Sequence, residues 1–170
     1  IATLGTATSQ TITFGDLTIQ STGAGGVTVT GATYNPNISL INLSIAAANS
    51  KTLTTGSGNW TVSGNYNLSN ITTFTATTGN TLTMSGSGTL TSNSQILKNV
   101  TLSGIVALAA ATHVINGNLS MVGGTVTATD STIIMTSSTA SIVGNNQTLN
   151  NLTASSTGTI TLQASGLTVG

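Results

Sequence analysis

The sequence is nearly without charge. Among its 170 residues only Asp16, Lys51, Lys98 and Asp130 are charged, and arginine and glutamate do not occur. Nucleic-acid binding depends on lysine and arginine side chains that neutralise phosphates, so this composition argues against a nucleic-acid partner. It also lacks the basic cluster that would hold a protein on an anionic membrane surface.

Cysteine is absent as well, so neither disulfide bonds nor thiolate metal sites can stabilise the fold. The longest strongly apolar stretch is the seven residues from Ile105 to Ala111. A membrane-spanning helix needs about 20 such residues, so no membrane insertion is expected. The chain begins at Ile1 instead of methionine, which indicates either a processed N-terminus or an expression boundary.

What the sequence has in abundance is threonine, glycine, serine and asparagine. Threonine is β-branched and favours strands, while most good helix formers are rare. Short segments alternate apolar and polar residues, which places the apolar members on one face of a strand. Such segments recur along the chain: Val27–Val29, Leu82–Met84, Val126–Ala128, Ile160–Leu162 and Leu167–Val169. The pattern predicts an all-β fold.

An internal repeat becomes visible when the chain is aligned with itself. Gly64–Leu68 resembles Gly117–Met121, and Gly15–Ile19 is an earlier copy, so the copies start 49 and 53 residues apart. Gln95–Thr101 likewise matches Gln147–Thr153, and Leu40–Ser44 supplies a third copy of that block. We therefore predict a single repeat domain over 1–170, with internal repeats at 15–63, 64–116 and 117–170. Residues 1–14 would form an N-terminal strand or cap, or a donor segment.

The repeat favours a parallel β-helix. Three short strands with their turns need about 16–21 residues, the size of one coil, so a repeat of about 52 residues would hold about three coils. The alternative is a β-sandwich of the pilin-like, strand-donating kind, but a sandwich has no reason to repeat its sequence at this period.

Three short motifs resemble segments of known proteins: Gly-Asn-Leu-Ser at 117–120, Asn-Leu-Thr at 151–153 and Thr-Leu-Thr-Met at 81–84. They resemble the β-strand repeats of large microbial cell-surface proteins and extracellular filament proteins, over roughly residues 11–170. The resemblance implies an extracellular or cell-surface location. It also implies a glycosylated protein with a structural or adhesive role.

Asparagines followed two residues later by serine or threonine are candidate N-glycosylation sites, and glycans would hydrate an uncharged surface. Asn42, Asn99 and Asn151 occupy the same repeat position, just before a strand. The alternative is an asparagine ladder, whose side chains hydrogen-bond from coil to coil. The candidate sites are Asn37, Asn42, Asn59, Asn67, Asn70, Asn99, Asn118, Asn146 and Asn151.

A catalytic centre is not expected. General acid–base catalysis needs titratable groups within reach of one another, whereas Asp16, His113 and Asp130 are far apart in the sequence. The combination of carboxylates, a metal and arginine or lysine that pectin-lyase-like β-helices carry cannot be assembled here, and the aspartates that repeat calcium loops need at each turn are missing. We therefore predict no enzymatic activity, no cofactor and no metal site, and we interpret His113 as a packing or turn residue.

Two weaker readings concern ligands. Threonine pairs such as Thr52/Thr54 and Thr81/Thr83 could order water as in ice-binding proteins, but such pairs do not recur at a strict spacing. Several aromatic residues on one face could bind carbohydrate. The aromatic residues are Phe14, Tyr34, Trp60, Tyr66 and Phe74, of which Trp60 and Phe74 are predicted to fill the core.

The leading functional hypothesis is a structural subunit of an extracellular filament that assembles head to tail. The end coils of a solenoid expose unpaired strand edges, and one copy could stack on the next without closing. The partner would then be another copy of the chain. The alternative is a segment of a long surface adhesin or stalk. The candidate assembly ends are Ile1, Ala2, Thr3 and Leu4 at one terminus and Leu167, Thr168, Val169 and Gly170 at the other.

Overall fold

The computed structural model describes residues 1–21, 24–163 and 166–170, and every regular element in these ranges is a β-strand. Nearly every strand pairs in parallel with the strand three places later in the chain. The result is a three-sided β-solenoid of about seven turns. The all-β prediction and the parallel β-helix are confirmed, and the β-sandwich alternative is wrong.

The strands form three faces along the solenoid. Face one contains β1 (Ala2–Thr3), β4 (Val27–Thr30), β7 (Lys51–Thr54) and β10 (Thr73–Thr75), followed by β13 (Ile96–Leu97), β16 (Thr112–Ile115), β19 (Thr132–Met135) and β22 (Asn151–Ala154). Face two is one eight-stranded sheet of β2 (Thr11–Thr13), β5 (Asn37–Leu40), β8 (Trp60–Val62), β11 (Thr81–Met84), β14 (Asn99–Leu102), β17 (Leu119–Ser120), β20 (Thr139–Val143) and β23 (Thr159–Gln163). Face three contains β3 (Asp16–Ile19), β6 (Asn42–Ile45), β9 (Tyr66–Asn67), β12 (Ser87–Thr91), β15 (Ile105–Leu108) and β18 (Thr125–Thr127), followed by β21 (Thr148–Leu149) and β24 (Thr168–Val169). In faces one and three, β10 and β13, and β18 and β21, are in contact without forming a ladder.

The core is the interior of this prism. Successive side chains of a strand point to opposite sides, so the apolar residues of each alternating segment turn inward and the threonines turn outward. Stacking then aligns the inward residues in columns, such as the column of face two. That column consists of Ile12, Ile38, Trp60, Leu82, Val100, Leu119, Ile142 and Leu162.

Coils differ in length because the corners differ. Along the face-two column one coil takes 26 residues, from Ile12 to Ile38, and another takes 18, from Leu82 to Val100. Several corners contain asparagine with a positive φ, a conformation that asparagine tolerates better than most residues. These are Asn35, Asn49, Asn93, Asn145 and Asn146. Varied corners thus leave the strand register intact.

The internal repeat is out of phase with the coils. Asn42, Asn99 and Asn151, equivalent in the repeat, begin β6, β14 and β22. These starts are eight strands apart, or about two and two-thirds turns at three strands per turn, near the three coils expected. These three asparagines therefore lie on three different faces, whereas Gly15 and Gly64 both precede strands of face three. Residues 1–14 supply β1 and β2, which pair with β4 and β5 of the same chain.

Candidate functional site

Asparagine side chains link neighbouring coils on face two. Asn37 Oδ1 accepts a hydrogen bond from the backbone N–H of Asn59 at 2.9 Å. Asn99 Oδ1 accepts one from the N–H of Asn118 at 3.0 Å, and Asn118 Oδ1 accepts one from the N–H of Ser141 at 2.9 Å. These residues lie at the outward start of the strands of face two, in two stretches that are separated by Thr81 of β11. They therefore form a ladder that ties coils together through side chain and backbone.

A second ladder lies near the starts of the strands of face three. Asn42 Nδ2 donates to Asp16 Oδ1 at 2.7 Å, and Asn42 Oδ1 accepts from the backbone N–H of Asn65 at 2.7 Å. Asn65 Oδ1 in turn accepts from the N–H of Thr89 at 2.8 Å. Four coils are linked in this way, and one of the chain's two aspartates has a structural partner in the ladder.

The two repeated motifs of the sequence, one beginning with glycine and one containing Asn42 or Asn99, stack on each other in neighbouring coils. Gly64-Asn65 lies directly above Asn42, and Gly117-Asn118 lies directly above Asn99. A Cβ on Gly64 would overlap Asn42 Oδ1, and a Cβ on Gly117 would lie 2.6 Å from Asn99 Oδ1. Each repeated glycine therefore makes room for the asparagine of the coil below.

These contacts bear on the nine candidate glycosylation sites. An N-glycan attaches to Nδ2, and Nδ2 of Asn42, Asn70 and Asn99 already donates to a neighbouring coil. In Asn67, Oδ1 accepts a bond from the Ser69 N–H across its own turn. Glycosylation stays a prediction, and the exposed residues Asn59, Asn146 and Asn151 are its best-placed sites.

The titratable residues do not meet in one place. Asp16 lies at the start of face three, Asp130 lies in an exposed corner, and His113 lies inside the core. In the described part of the chain, no three His, Cys, Asp or Glu side chains are grouped closely enough to hold a metal ion. Surface grooves of 350–420 Å³ occur along the solenoid, and their linings contain no aspartate, histidine or lysine.

Lys51 is buried, although a lysine side chain is ordinarily exposed. It is 1% exposed and points into the solenoid, in phase with Leu53 on β7. Its Nζ donates to the carbonyl oxygens of Ala47 and Asn49 at 3.2 and 3.0 Å. Those bonds brace the corner at 46–50, where Ala48 and Asn49 have positive φ. The alternation Lys-Thr-Leu-Thr was the available signal, because it places Lys51 on the apolar side.

His113 is also an interior residue, in agreement with its interpretation as a packing residue. It is 1% exposed, and its Nδ1 lies 2.9 Å from Ser92 Oγ. Its Nε2 lies 3.1 Å from the Ala109 carbonyl oxygen, which can only accept, so Nε2 carries the proton. Nδ1 then accepts the Ser92 hydroxyl proton. Both ring nitrogens are satisfied in the neutral imidazole, and burial lowers the pKa of His113 below its ordinary 6.5, against a smaller opposing effect of the Ala109 bond.

We expect the folded state to lose stability as the pH falls from about 7 to 5. The unfolded chain takes up a proton on His113 near the ordinary pKa, whereas the folded chain stays neutral to lower pH. The stabilisation is therefore fully present above 6.5 and declines below it. Urea-denaturation midpoints measured across this range test the expectation. His113→Gln should flatten the profile, and an equally steep profile in that variant would contradict the assignment.

The aromatic side chains face inward or lie at corners. Trp60 and Tyr66 are 1% and 2% exposed, and Phe14 and Phe74 pack partly buried against the core. Burial raises the pKa of Tyr66. The prediction that Trp60 and Phe74 contribute to the core is thus confirmed. Because the large aromatic rings turn inward, they do not form an external platform for sugars.

The candidate assembly ends lie at opposite ends of the solenoid. Ala2 and Thr3 form β1 on the first coil, with Ile1 exposed before them and Leu4 buried after them. Thr168 and Val169 form β24 on the last coil, and Gly170 N donates to the Leu149 carbonyl oxygen at 2.9 Å. Leu167 is partly buried against the core.

The last coil continues the core columns but leaves them uncovered. Leu162 stacks in register on Ile142, yet Leu162 is 64% exposed and Ile142 is 1% exposed. Val169 stacks on Leu149, with exposures of 47% and 1%. At the first coil, Ala2, Leu4, Phe14, Leu17 and Val29 help to line a largely apolar groove of about 240 Å³. We call these two surfaces the end faces.

No protein-family model, curated protein or solved structure matches this chain. Within the described ranges, no helix is long and apolar enough to span a membrane. The features of the molecule that bear on its function are a nearly uncharged solenoid, asparagine ladders on two of its faces, and two apolar end faces. They define the class of the protein as a β-solenoid.

Proposed function

We propose that the chain is a structural subunit of an extracellular filament, in which copies stack head to tail through their end faces. The observation that carries the proposal is the exposed apolar end of the last coil. Leu162 and Val169 occupy positions that are buried one coil earlier. Covering such side chains is favourable at about 25 cal/mol per Å² of apolar surface, and another coil would cover them.

The strand directions support this mode of stacking. All strands are parallel and each face begins and ends with one strand edge, so a second copy can continue all three faces without reversing direction. On face two, β2 of one copy would follow β23 of another. Inward Ile12 would then cover Leu162, and outward Thr11 would follow Thr161. Such a contact joins two different surfaces and propagates without closing.

The lack of charge is compatible with the same mode of assembly. Stacking buries backbone and apolar groups at every contact, and a buried unpaired charge would be costly there. On face two the residues that meet in this arrangement, Ile12, Leu162, Thr11 and Thr161, are all uncharged. Asp16, on the first strand of face three, is exposed and accepts a hydrogen bond from Asn42 Nδ2. An extracellular or cell-surface location agrees with a chain that has hardly any charge and offers exposed N-glycosylation motifs at its corners.

The alternative is a stalk or adhesin segment, in which further coils of the same polypeptide cover the end faces. About seven turns at about 4.8 Å make one rod about 34 Å long. A filament subunit should therefore form regular fibres much longer than this in negative-stain electron microscopy. A stalk segment should stay dispersed or clump irregularly, and that outcome for the purified chain would contradict the filament.

Leu162→Lys should abolish the fibres, because it places a charge in the middle of the proposed contact. Ile105→Lys is the matched control, since Ile105 is also 64% exposed but lies on the side of the solenoid, on face three. Circular dichroism checks that both variants keep their β-structure. Fibres that persist in Leu162→Lys, or that vanish equally in Ile105→Lys, would refute end-face stacking.

A further inference from the structure

Threonines form a two-dimensional array on face one. Two outward ranks run across β1, β4, β7 and β10, and threonine occupies seven of their eight positions, the eighth being Ile1. Threonine makes up 37 of the 170 residues of the chain, so this density is far above the average. The array consists of Thr28, Thr52 and Thr73 in one rank and Thr3, Thr30, Thr54 and Thr75 in the other.

The array is regular although the sequence between its members is not. Thr28 pairs with Thr52 and Thr52 pairs with Thr73, at intervals of 24 and 21 residues. The uneven corners absorb this difference. The lack of a strict sequence spacing, which counted against ice binding, therefore does not prevent the threonines from aligning in space.

The dimensions and stiffness of the array suit a crystalline ligand. Neighbouring strands are about 4.7–4.9 Å apart, and residues two apart along a strand are about 6.6 Å apart. These repeats are close to the oxygen repeats on a surface of ice. Threonine has a restricted χ1, so its hydroxyl and methyl groups are held in place before any ligand arrives.

The chemistry of the array is neutral throughout. In β1, β4, β7 and β10 the one charged side chain is Lys51, and it points inward onto the carbonyls of Ala47 and Asn49. Ice carries no net charge, and a charged group at the contact would keep its own hydration shell. Because Lys51 points inward, the seven threonine positions of the array present only hydroxyl and methyl groups. Crystalline polysaccharides are generally bound through exposed aromatic rings. Phe74, the aromatic residue of these four strands, points to the core and so does not offer such a contact.

We propose that the threonine array binds ice, by ordering water between its two ranks in positions that continue the ice lattice. The inference is independent of filament assembly, since the array lies on the side of the solenoid and the end faces are not part of it. In the second half of face one the same outward positions include Val114 and Ile134, so the site is confined to the first coils.

The test is thermal hysteresis and incorporation into a slowly growing ice hemisphere, measured on the full chain. The unmodified chain should show both. Thr52→Tyr and Thr54→Tyr should each abolish them, because a large side chain at the centre of the array holds the neighbouring threonines away from the crystal. Thr83→Tyr is the matched control: it changes an outward threonine in the middle of face two and should keep full activity.

Absence of hysteresis and of ice incorporation in the unmodified chain would overturn the proposal. So would equal loss in Thr83→Tyr, or retained activity in both array variants with their β-structure intact by circular dichroism. Sedimentation with crystalline cellulose or chitin, in the absence of any hysteresis, would assign the array to a polysaccharide instead. Thr52→Val gives a finer test, since it keeps the shape and the methyl groups and should lower the activity less than Thr52→Tyr.

Discussion

Replacing Gly104 by alanine is expected to lower the free energy of unfolding by about 3 kcal/mol, the upper range for overpacking a filled site. Gly104 lies at the corner between faces two and three, where glycines of successive coils stack. A Cβ on Gly104 would overlap the carbonyl oxygen of Gly86, and a Cβ on Gly124 would overlap that of Gly104. The obstacle is backbone that is itself bonded into the sheets, so it cannot rotate away as a flexible side chain would.

Gly15→Ala is the matched control. Gly15 begins the first copy of the repeated motif that starts with glycine, but a Cβ there meets nothing within 4 Å. Its effect should stay within about 0.5 kcal/mol, as for surface substitutions in general. Urea denaturation of both variants, followed by circular dichroism, provides the comparison. A Gly104→Ala variant as stable as Gly15→Ala would show that the corner is wider than described.

Replacing Trp60 by alanine is expected to cost about 3–5 kcal/mol, the range for emptying a large aromatic site in a core. Trp60 is 1% exposed and stacks between Ile38 and Leu82 in the face-two column. Its indole N–H also donates to the Thr55 carbonyl oxygen at 3.3 Å. The substitution therefore leaves both a cavity and a buried carbonyl without that donor.

Two further variants provide the comparison for this loss of stability. Trp60→Phe keeps an aromatic ring in the column and should cost clearly less than Trp60→Ala. Ile105→Ala removes an apolar side chain of comparable chemistry that is 64% exposed, and should change stability by less than about 0.5 kcal/mol. Equal destabilisation by Trp60→Ala and Ile105→Ala would contradict the burial of Trp60. The denaturation midpoint again gives the measurement.

Much of the fold was predictable because the signal is local. A segment such as Thr81–Met84 alternates within four residues, and alternation alone decides which side chains turn to the core. The recurrence of such segments at the size of a coil favoured a solenoid. The inward positions of Trp60 and Phe74 followed from the same alternation. The same alternation puts Lys51 on the side of β7 that carries Leu53, and therefore indicates an inward position for Lys51, whereas its charge indicates the surface.

The candidate site was harder to predict because it depends on which residues stack. Asn42 and Asn65 are 23 residues apart in one coil, whereas Asn99 and Asn118 are 19 apart in another. No fixed period relates both pairs, so the asparagines could be recognised as glycosylation motifs but not assigned to their ladders. The same uneven spacing concealed the alignment of Thr28, Thr52 and Thr73.

By itself, the sequence determined that this protein is extended, uncharged and built of stacked coils, because short-range alternation and composition are enough for those properties. The tertiary structure decided the register: which asparagines bind across coils, which glycines make room for them, and where threonines align into an array. The physical reason is that corners of unequal length lie between strands of constant spacing. Residues therefore meet by their position on a face: Gly15 and Gly64, equivalent in the repeat, both precede strands of face three, whereas Asn42, Asn99 and Asn151 lie on three different faces.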